Sequence, residues 1–445
     1  MKITFRNLPF LVVDVASFYL ALFLSLLIRL GPKYEWEIFR LHFSPFFPIL
    51  VIFILTFYVV GLYDLRNFSK LFRFFKLLLI GMIVFLFLSA TYFYLSPIRE
   101  ISPKLILFIF SVTLGVIDYG LREWLRRYLM KSQPLTNVLL IGKGEDAAEL
   151  ASYVRENAQM GYRIETWMKE YDQKEVQRIS SENKIGIFVV PYTLRNQKEF
   201  AAQAYRELLR GVEVIGFSEF YENVLGKVSM DELQENWFLE KIKPKNGLYS
   251  TVKRLVDIFL ALFILVITLL FWPVIILGIK LSSKGPIFFL KERVGLRERR
   301  FRLFKFRTMH PGKEETNKIN DNFSRERGDD VRVFSFGKWM RKIRIDEWPQ
   351  VINVLKGELS FVGPRADFTD YYNILKEKIP YYQIRTIIVP GLSGWAQIHD
   401  KVGSSVDNAR ERLAYDIYYI KNRSFVMDLA ISLKTLKTIL TFSGV

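Results

Sequence analysis

The stretch LVDIFLALFILVITLLFWPVIILGIKL, residues Leu255–Leu281, decides the architecture of the C-terminal half of this chain. It is apolar almost throughout, follows Lys253-Arg254 and precedes Lys284. At about 1.5 Å per residue, a helix of this length is long enough to cross a ~30 Å hydrocarbon layer. Both flanks are basic, however, and the positive-inside rule favours basic flanks on the same side of the membrane. Because Pro273 removes a backbone donor and kinks a helix, we predict a re-entrant membrane helix over about 255–281, with a simple span as the alternative.

The composition indicates a protein with both membrane and water-facing parts. Its 445 residues are enough for two or three structural units, and 51% are hydrophobic while 24% are charged. A formal net charge of +18 predicts an anionic partner, and the apolar stretches favour a membrane surface and phosphorylated substrates over nucleic acid. The absence of cysteine excludes disulfides and thiol nucleophiles. With three histidines in all, any acid, base or nucleophile is expected to be a carboxylate or a lysine.

Four further apolar stretches precede residue 125. Each is near the length that a membrane-spanning helix needs: Leu8–Leu30, Phe46–Leu62, Leu77–Leu95 and Leu105–Leu121. Basic residues cluster after the second and the fourth stretch: Arg66, Lys70, Arg73, Lys76, Arg122, Arg126, Arg127 and Lys131. The positive-inside rule then puts the N-terminus and everything after the fourth span in the cytoplasm.

Three acidic residues lie in or near apolar stretches. Asp14 and Asp118 belong to the N-terminal stretches, where an intramembrane acid is a functional candidate. A structural role inside the helix bundle is the equal alternative. Asp257 is close enough in sequence to pair with Lys253 or Arg254 rather than act chemically.

The middle of the chain has the pattern of a small α/β unit. A buried-strand pattern at Asn137–Ile141 leads into the turn Gly142-Lys143-Gly144 and then a helical stretch, which resembles a dinucleotide-binding opening. Further strands are predicted at Ile185–Val190 and Val212–Ile215. Either Gly142 and Gly144 allow a nucleotide or anion to bind at the helix N-terminus, or they only shape the turn. No acidic residue clearly follows a second predicted strand, where a ribose contact would belong.

Short motifs follow the apolar stretch of residues 255–281 in a definite order: Gly285-Pro286, Lys305-Phe306-Arg307-Thr308-Met309, Asp346-Glu347 with Pro349-Gln350, Ser360 with Val362-Gly363-Pro364-Arg365, and Pro390-Gly391 with Gly394-Trp395. Adjacent carboxylates on one helix point about 100° apart, so one can attack phosphorus while the other holds a divalent cation. Phosphoryl transfer needs such an oxygen nucleophile, a hard cation, and Arg or Lys for the phosphate oxygens. Taken alone, an Asp-Glu pair is more often a solvated helix face.

In this order and spacing, the segment from about Tyr249 to Leu440 resembles the bacterial sugar transferase family, the polyprenyl-phosphate hexose-1-phosphate transferases. The four spans and the α/β unit are similar to its larger members, the undecaprenyl-phosphate glucose or galactose phosphotransferases of exopolysaccharide and O-antigen synthesis. The resemblance implies transfer of a hexose-1-phosphate from a UDP-sugar to undecaprenyl phosphate through a covalent aspartyl-phosphosugar intermediate, with release of UMP. This reaction would start an exopolysaccharide, capsule or O-antigen repeat unit at the bacterial inner membrane.

The resemblance also implies roles for individual residues. Asp346 would be the nucleophile, Glu347 would help to hold Mg²⁺, and Arg365 would bind phosphate. Three further cations would support phosphate binding: Lys305, Arg307 and Arg344. Ala366 stands where a second proline is common in the family.

The predicted fold has three parts: a membrane α-helical bundle of four spans over residues 1–130, a small Rossmann-like α/β domain over 131–245, and a mostly helical, monotopic catalytic domain over 246–445 that contains the re-entrant helix. The expected partners are a UDP-sugar, undecaprenyl phosphate and the lipid membrane, with a possible homodimer. Two other functions stay open, a non-catalytic membrane scaffold for polysaccharide assembly and a nucleotide sensor.

Overall fold

The computed structural model of the chain describes residues 8–31, 34, 36–63, 71–95, 103–132, 135–182, 185–194, 197–242, 247–310, 332–399 and 405–440. The chain divides into two compact units, Met1–Phe217 and Ser218–Val445, called here the N-terminal and the C-terminal unit. The division into three domains at residues 130 and 245 stays a prediction. Arg66 and Lys70, two of the residues that indicated the orientation, lie outside the described residues.

The N-terminal unit begins with a helical bundle: α1 (Leu8–Leu30), α2 (Trp36–Val60), α3 (Leu71–Leu95) and α4 (Pro103–Ser132). Among the described residues, α1, α2 and α3 are long and apolar enough to cross a membrane. The fourth predicted span lies within α4, and its crossing stays a prediction. Helix α2 begins at Trp36 rather than at the predicted Phe46, because a helix includes polar end residues that an apolar run leaves out.

Aromatic side chains form much of the core of this bundle. The rings of Phe18 and Phe110 meet edge to face with centroids 4.9 Å apart, and both side chains are fully buried. Large apolar residues such as Val12, Phe87 and Val116 remain exposed on the outside. Lipid tails are as apolar as leucine, so such a surface carries no penalty in a membrane.

A buried ion network joins α1 to α4. Arg122 Nε donates to Asp14 Oδ1 at 2.9 Å and lies 3.0 Å from Asp118 Oδ2, and all three side chains are fully buried. Ser17 donates to Asp118 at 3.0 Å, and the Tyr63 hydroxyl donates to Asp14. These contacts favour the structural role for Asp14 and Asp118, one of the two predicted alternatives.

A four-stranded parallel sheet completes the N-terminal unit. Its strands lie in the order β2-β1-β3-β4: β1 (Thr136–Ile141), β2 (Tyr162–Met168), β3 (Ile185–Val190) and β4 (Glu213–Gly216). Three helices alternate with them: α5 (Gly144–Glu156), α6 (Gln173–Glu182) and α7 (Lys198–Leu209). The sequence had not predicted β2, because this edge strand mixes charged with apolar residues and is only half-buried. The small parallel sheet is confirmed, whereas a Rossmann-like fold in detail stays a prediction.

The C-terminal unit is mostly helical. Its helices, the first of which begins at the unit boundary, are α8 (Phe217–Leu225), α9 (Glu235–Lys241), α10 (Gly247–Leu269), α11 (Trp272–Ser282), α12 (Ser335–Lys342), α13 (Gln350–Lys356), α14 (Thr369–Lys378), α15 (Trp395–His399), α16 (Val406–Asn422) and α17 (Phe425–Leu440). Two small sheets accompany them, antiparallel β5 (Phe288–Val294) with β6 (Arg300–Phe306) and parallel β7 (Ser360–Val362) with β8 (Gly391–Ser393). Trp237, which the sequence division assigned to the α/β domain, packs with Tyr372 and Leu413 in the core of this unit.

Helices α10 and α11 cover the predicted re-entrant stretch. They are bent by 61° at a short break, as in a broken span or a re-entrant loop. Pro273 lies in the first turn of α11, where its missing N–H leaves no helical bond unmade. Ala261 and Ile279 pack against the rest of the unit, while apolar side chains such as Phe259 and Val274 face outward and are exposed. The predicted break is therefore present, and whether the chain returns to the same side stays a prediction.

The expected ion pair of Asp257 is not formed. Lys253 pairs instead with Asp428 at 2.8 Å, and Arg254 donates to the Val354 carbonyl at 2.6 Å. Asp257 accepts a hydrogen bond from the backbone N–H of Phe361 at 3.3 Å. The spacings of three and four residues do place these side chains on one helix face, but each of them has a partner on another element instead.

Candidate active site

The candidate active site is built on strand β6 and a short 3₁₀ turn. Lys305 lies near the end of β6, and the turn, Ile345–Glu347, contains both Asp346 and Glu347. Arg344, just before the turn, has a φ of 57° and a ψ of 24°. This left-handed conformation costs a non-glycine residue about 1–2 kcal/mol. Such strain persists only where the surrounding structure fixes it, and it is common at functional sites.

Lys305 bridges the two carboxylates. Its Nζ lies 2.8 Å from Glu347 Oε1 and 4.0 Å from Asp346 Oδ2. Arg344 supplies a second cation, with Nη1 3.6 Å from Glu347 Oε2. Asp346 is buried, whereas the side chains of Glu347 and Lys305 are 29% and 22% exposed. A buried carboxylate thus lies beside an accessible one, and cations offset the charge of both.

The two carboxylates differ in pKa. Burial raises the pKa of Asp346 above its ordinary value, although the charge of Lys305 opposes the shift. Burial also acts to raise the pKa of Glu347, but the charges of Lys305 and Arg365 more than offset it and lower that pKa to about 2. Glu347 therefore stays ionised at any physiological pH, and Asp346 is the group that acidification protonates first.

Arg365 follows β7 at a place where two glycine backbones meet. A Cβ on Gly391 would lie 2.0 Å from the backbone nitrogen of Gly363, so no side chain fits there. The close approach lets Gly391 N–H donate to the Pro364 carbonyl at 2.8 Å. The Arg365 side chain is exposed, forms no hydrogen bond or ion pair among the described residues, and acts on Glu347 through its charge.

Arg307 lies beyond β6 and contacts the chain that leaves α11. Its Nη2 donates to the Ser283 carbonyl at 2.6 Å, and its side chain is buried. In the described part of the chain, its Nε and Nη1 have no hydrogen-bond partner. Lys305 thus acts on both carboxylates, and Arg344 and Arg365 act on Glu347. Arg307 lies beside the chain that leaves α11. Its role in phosphate binding stays a prediction.

Two further side chains organise this site, and the sequence reading had given them no role. Asn353, fully buried on α13, accepts from the Phe304 N–H at 3.0 Å and donates to the Arg302 carbonyl at 2.8 Å. It thereby fastens β6 to α13. Arg341 adds positive charge near Asp346. A polar residue inside the apolar helix segment QVINVLK was the signal that could have revealed Asn353.

The residues present fit a magnesium ion only if substrate completes its coordination. No group of three or more His, Cys, Asp or Glu side chains able to hold a metal occurs within the described ranges. Mg²⁺ usually takes one or two carboxylates, several waters and substrate phosphates. Asp346 and Glu347 supply that many carboxylates, and Glu347 is ionised and partly exposed. Magnesium binding by Glu347 therefore stays a prediction that the donor set allows.

The contacts of the glycine turn at the start of α5 favour the alternative that Gly142 and Gly144 only shape the turn. Gly142 accepts a hydrogen bond from Trp167 Nε1 at 3.0 Å, and Gly144 has a φ of 84°. The first turn of α5 carries Glu145 and Asp146, whose charge disfavours an anion at that helix end. Nucleotide binding at Gly142 and Gly144 stays a prediction with these contacts against it.

An acidic residue does follow the second strand, contrary to the expectation from sequence. Glu170 comes shortly after β2 and pairs with Lys143 of the glycine turn at 2.7 Å, on the surface of the unit. The expectation failed because β2 itself had not been predicted. Glu170 is thus engaged with a lysine at the position where a ribose contact would be sought.

Comparisons with known proteins match the part of the chain that holds this site. The family described as bacterial sugar transferase matches residues 248–442. A UDP-N-acetylgalactosamine-undecaprenyl-phosphate N-acetylgalactosaminephosphotransferase from Aeromonas hydrophila is 38% identical over 239 residues, 53% of this chain and 54% of the relative. The uncharacterized sugar transferase EpsL of Bacillus subtilis is 36% identical over 194 residues, 44% of this chain and 90% of the relative. A UDP-glucose:undecaprenyl-phosphate glucose-1-phosphate transferase from Caulobacter vibrioides is 39% identical over 194 residues, 42% and 70% respectively. The match covers about half the length of the Aeromonas relative and nearly all of EpsL.

Proposed function

This chain belongs to the bacterial sugar transferase family, and we propose that it transfers a hexose-1-phosphate from a UDP-sugar to undecaprenyl phosphate. The reaction takes place at the cytoplasmic face of the inner membrane, releases UMP and starts an exopolysaccharide, capsule or O-antigen repeat unit. The observation that carries the proposal is the buried Asp346 beside the ionised Glu347, with Lys305 between them. The names of the Aeromonas and Caulobacter relatives support the substrate classes, and they differ in the sugar.

In the first half-reaction, an oxygen of Asp346 attacks the β-phosphorus of the UDP-sugar. The new Asp346 O–P bond forms as the bond from that phosphorus to the bridging oxygen breaks, and UMP leaves with the electron pair. Lys305 favours the ionised form of Asp346 and, with Arg365, offsets the charge on the phosphoryl oxygens. Mg²⁺, when bound beside Glu347, would neutralise further charge on the diphosphate.

In the second half-reaction, a phosphate oxygen of the lipid attacks the same phosphorus. The Asp346 O–P bond breaks, the carboxylate is regenerated and the product is undecaprenyl diphosphate linked to the sugar. One nucleophile thus serves both halves, which predicts ping-pong kinetics. The ion pair between Lys305 and Glu347, 2.8 Å long, also holds the lysine at the site.

The packing of α10 and α11 supports a re-entrant attachment of this unit. Ala261 of α10 packs with Val351 and Val354 of α13, and Ile279 of α11 packs with Met340 of α12. Both helices therefore lie against the unit that holds the site. A crossing by either helix would bring those neighbours, with their charged residues, into the hydrocarbon layer, where each charge is costly.

The reaction is tested with purified protein in lipid nanodiscs and a panel of UDP-glucose, UDP-galactose and their N-acetylated forms. Without undecaprenyl phosphate, the wild type is expected to release about one UMP per enzyme and to gain the mass of a hexose phosphate. With the lipid it should turn over repeatedly. Asp346→Asn should release no UMP in either case, and Asp370→Asn on the exposed start of α14 is the matched control.

Two outcomes would contradict the proposal at different levels. Full turnover by Asp346→Asn would refute the covalent intermediate. A wild type that releases no UMP from any donor in the panel would refute the transferase and favour a membrane scaffold or a nucleotide sensor.

The attachment is tested by cysteine labelling, since the chain has no natural cysteine. Glu240→Cys before α10 and Leu290→Cys after α11 both lie at exposed positions. A re-entrant helix pair is expected to leave both accessible to a membrane-impermeant thiol reagent from the cytoplasmic side only. Labelling of residue 290 from the opposite side would show a crossing and refute the re-entrant attachment.

A further inference from the structure

The backbone that carries Arg365 is held at four successive carbonyls. Each carbonyl of residues 364–367 accepts one hydrogen bond, and the donors come from three separate segments: Gly391 N–H to Pro364 at 2.8 Å, Arg385 Nη2 to Arg365 at 3.0 Å, Arg293 Nη1 to Ala366 at 2.9 Å and Val294 N–H to Asp367 at 3.0 Å. A loop with so many separate attachments has little freedom to shift.

Arg385 anchors this backbone to the interior of the unit. Its side chain is buried, and besides the Arg365 carbonyl it donates to the Asp367 carboxylate and the Tyr382 hydroxyl. Its Nη2 also lies 2.8 Å from Asp416 of α16, which is itself buried. The planar guanidinium has five donors in a fixed fork, and only such a group reaches all of these acceptors at once.

Arg293 holds Ala366, the next residue of this backbone. Its guanidinium lies 3.4 Å from the ring centroid of Phe368 and donates to the Ala366 carbonyl at 2.9 Å. Burial lowers the pKa of Arg293 to about 9, and the positive charge of Arg365 acts in the same direction.

The side chain of Arg365 itself is not held. It is exposed and, in the described part of the chain, has neither a hydrogen bond nor an ion pair. Its backbone therefore sets the position of its Cα and the direction of its Cα–Cβ bond, from which the side chain extends. A cation whose attachment point is fixed needs less rearrangement when a phosphoryl group arrives, and less rearrangement favours electrostatic stabilisation.

We propose that Arg385 and Arg293 are positioning residues that hold the backbone of residues 364–367 and thereby keep Arg365 near Glu347. The proposal rests on the proposed function, because it concerns the same reaction. Neither arginine touches the reacting atoms in this assignment. A displacement of about 1 Å at a reacting group lowers a rate by roughly 10²-fold, so both residues act on turnover through Arg365.

A double-mutant cycle tests this dependence. Arg365→Ala is expected to lower kcat/KM by about 100-fold, and Arg385→Lys by about 10- to 100-fold, because lysine keeps the charge but not the fork. The double variant should be no worse than Arg365→Ala within about threefold, since Arg385 has nothing left to position. Arg410→Lys, at an exposed ion pair with Asp231, is the matched control and should leave kcat/KM unchanged.

Three results would overturn the proposal while UMP release by the wild type still supports the transferase. They are a double variant whose loss equals the product of the single losses, full activity of Arg365→Ala, and full activity of Arg385→Lys. If thermal unfolding shows that Arg385→Lys does not fold, the cycle is run with Arg293→Lys and Arg365→Ala, and additivity there overturns the proposal equally. A wild type without UMP release would instead refute the proposed function itself.

Discussion

The helical bundle and the candidate active site each place a cation between two carboxylates, but in opposite settings. In the bundle, Arg122 lies with Asp14 and Asp118, and all three side chains are fully buried. In the C-terminal unit, Lys305 lies between Asp346 and Glu347, and the lysine and the glutamate remain partly exposed.

The difference lies in how many polar atoms are already used. Arg122 donates to both oxygens of Asp14 and to the Leu62 carbonyl, and its guanidinium carbon lies 5.1 Å from the ring centroid of Phe57. This cluster is buried, and the charge of its arginine is already paired with both carboxylates. At the candidate site, by contrast, Arg365 is exposed and bonded to no described side chain. Two carboxylates and a cation therefore indicate chemistry only where the surrounding groups leave the cluster open.

The sharpest test of this comparison uses the same acid-to-amide change in both clusters. Asp346→Asn is expected to lower turnover by at least about 10⁴-fold, because an amide does not attack phosphorus, with a thermal unfolding temperature close to that of the wild type. Asp14→Asn is expected to lower the unfolding temperature and to keep turnover per folded molecule. Both are measured by UMP release and thermal unfolding in one detergent. The opposite pattern would reverse the two assignments.

Removal of the buried cation should have the next largest effect. Arg122→Leu leaves two carboxylates buried without their cation, and a broken buried ion pair costs about 3–5 kcal/mol in the free energy of unfolding. Arg127→Leu on the same helix is the control, because its side chain is 71% exposed and its loss should cost less than about 1 kcal/mol. Equal effects of the two changes in a thermal unfolding assay would contradict the structural role of the network.

Removal of Lys305, the partly exposed cation of the candidate active site, should affect both the rate and its pH dependence. Lys305→Met is expected to lower kcat by about 10²- to 10³-fold. Asp346 must be ionised to attack, and burial already raises its pKa, so activity should fall as the pH drops through that raised value. Without Lys305 the pKa rises further, and the acid limb of kcat against pH should move to higher pH. Lys376→Met, at an exposed pair with Glu298, is the control; an acid limb that stays in place would show that Lys305 does not act on Asp346.

Local patterns were sufficient for much of the fold. Helix α1 has the predicted bounds, the break between α10 and α11 lies beside Pro273, and the strands β1, β3 and β4 are where alternation and apolar runs indicated. Strand β2 escaped prediction because an edge strand buries only part of each face and its sequence lacks an apolar run. Motif order was enough to name Asp346 and Glu347 as candidates, and their catalytic roles stay a prediction. The charges of Lys305, Arg344 and Arg365 do act on Glu347.

By itself, the sequence determined which segments are helical or apolar and which short motifs can carry phosphoryl chemistry, because these depend on neighbours along the chain. Tertiary structure alone decided which charged side chains form buried ion pairs and which remain exposed to solvent. Arg122 and its partner Asp14 are 108 residues apart in the sequence, and Arg293 and the Ala366 carbonyl are 73 residues apart. Such partners are fixed by the packing of whole elements and have no trace in local periodicity. For that reason the dyad could be named from the sequence, whereas the backbone attachments that position Arg365 emerged only from the fold.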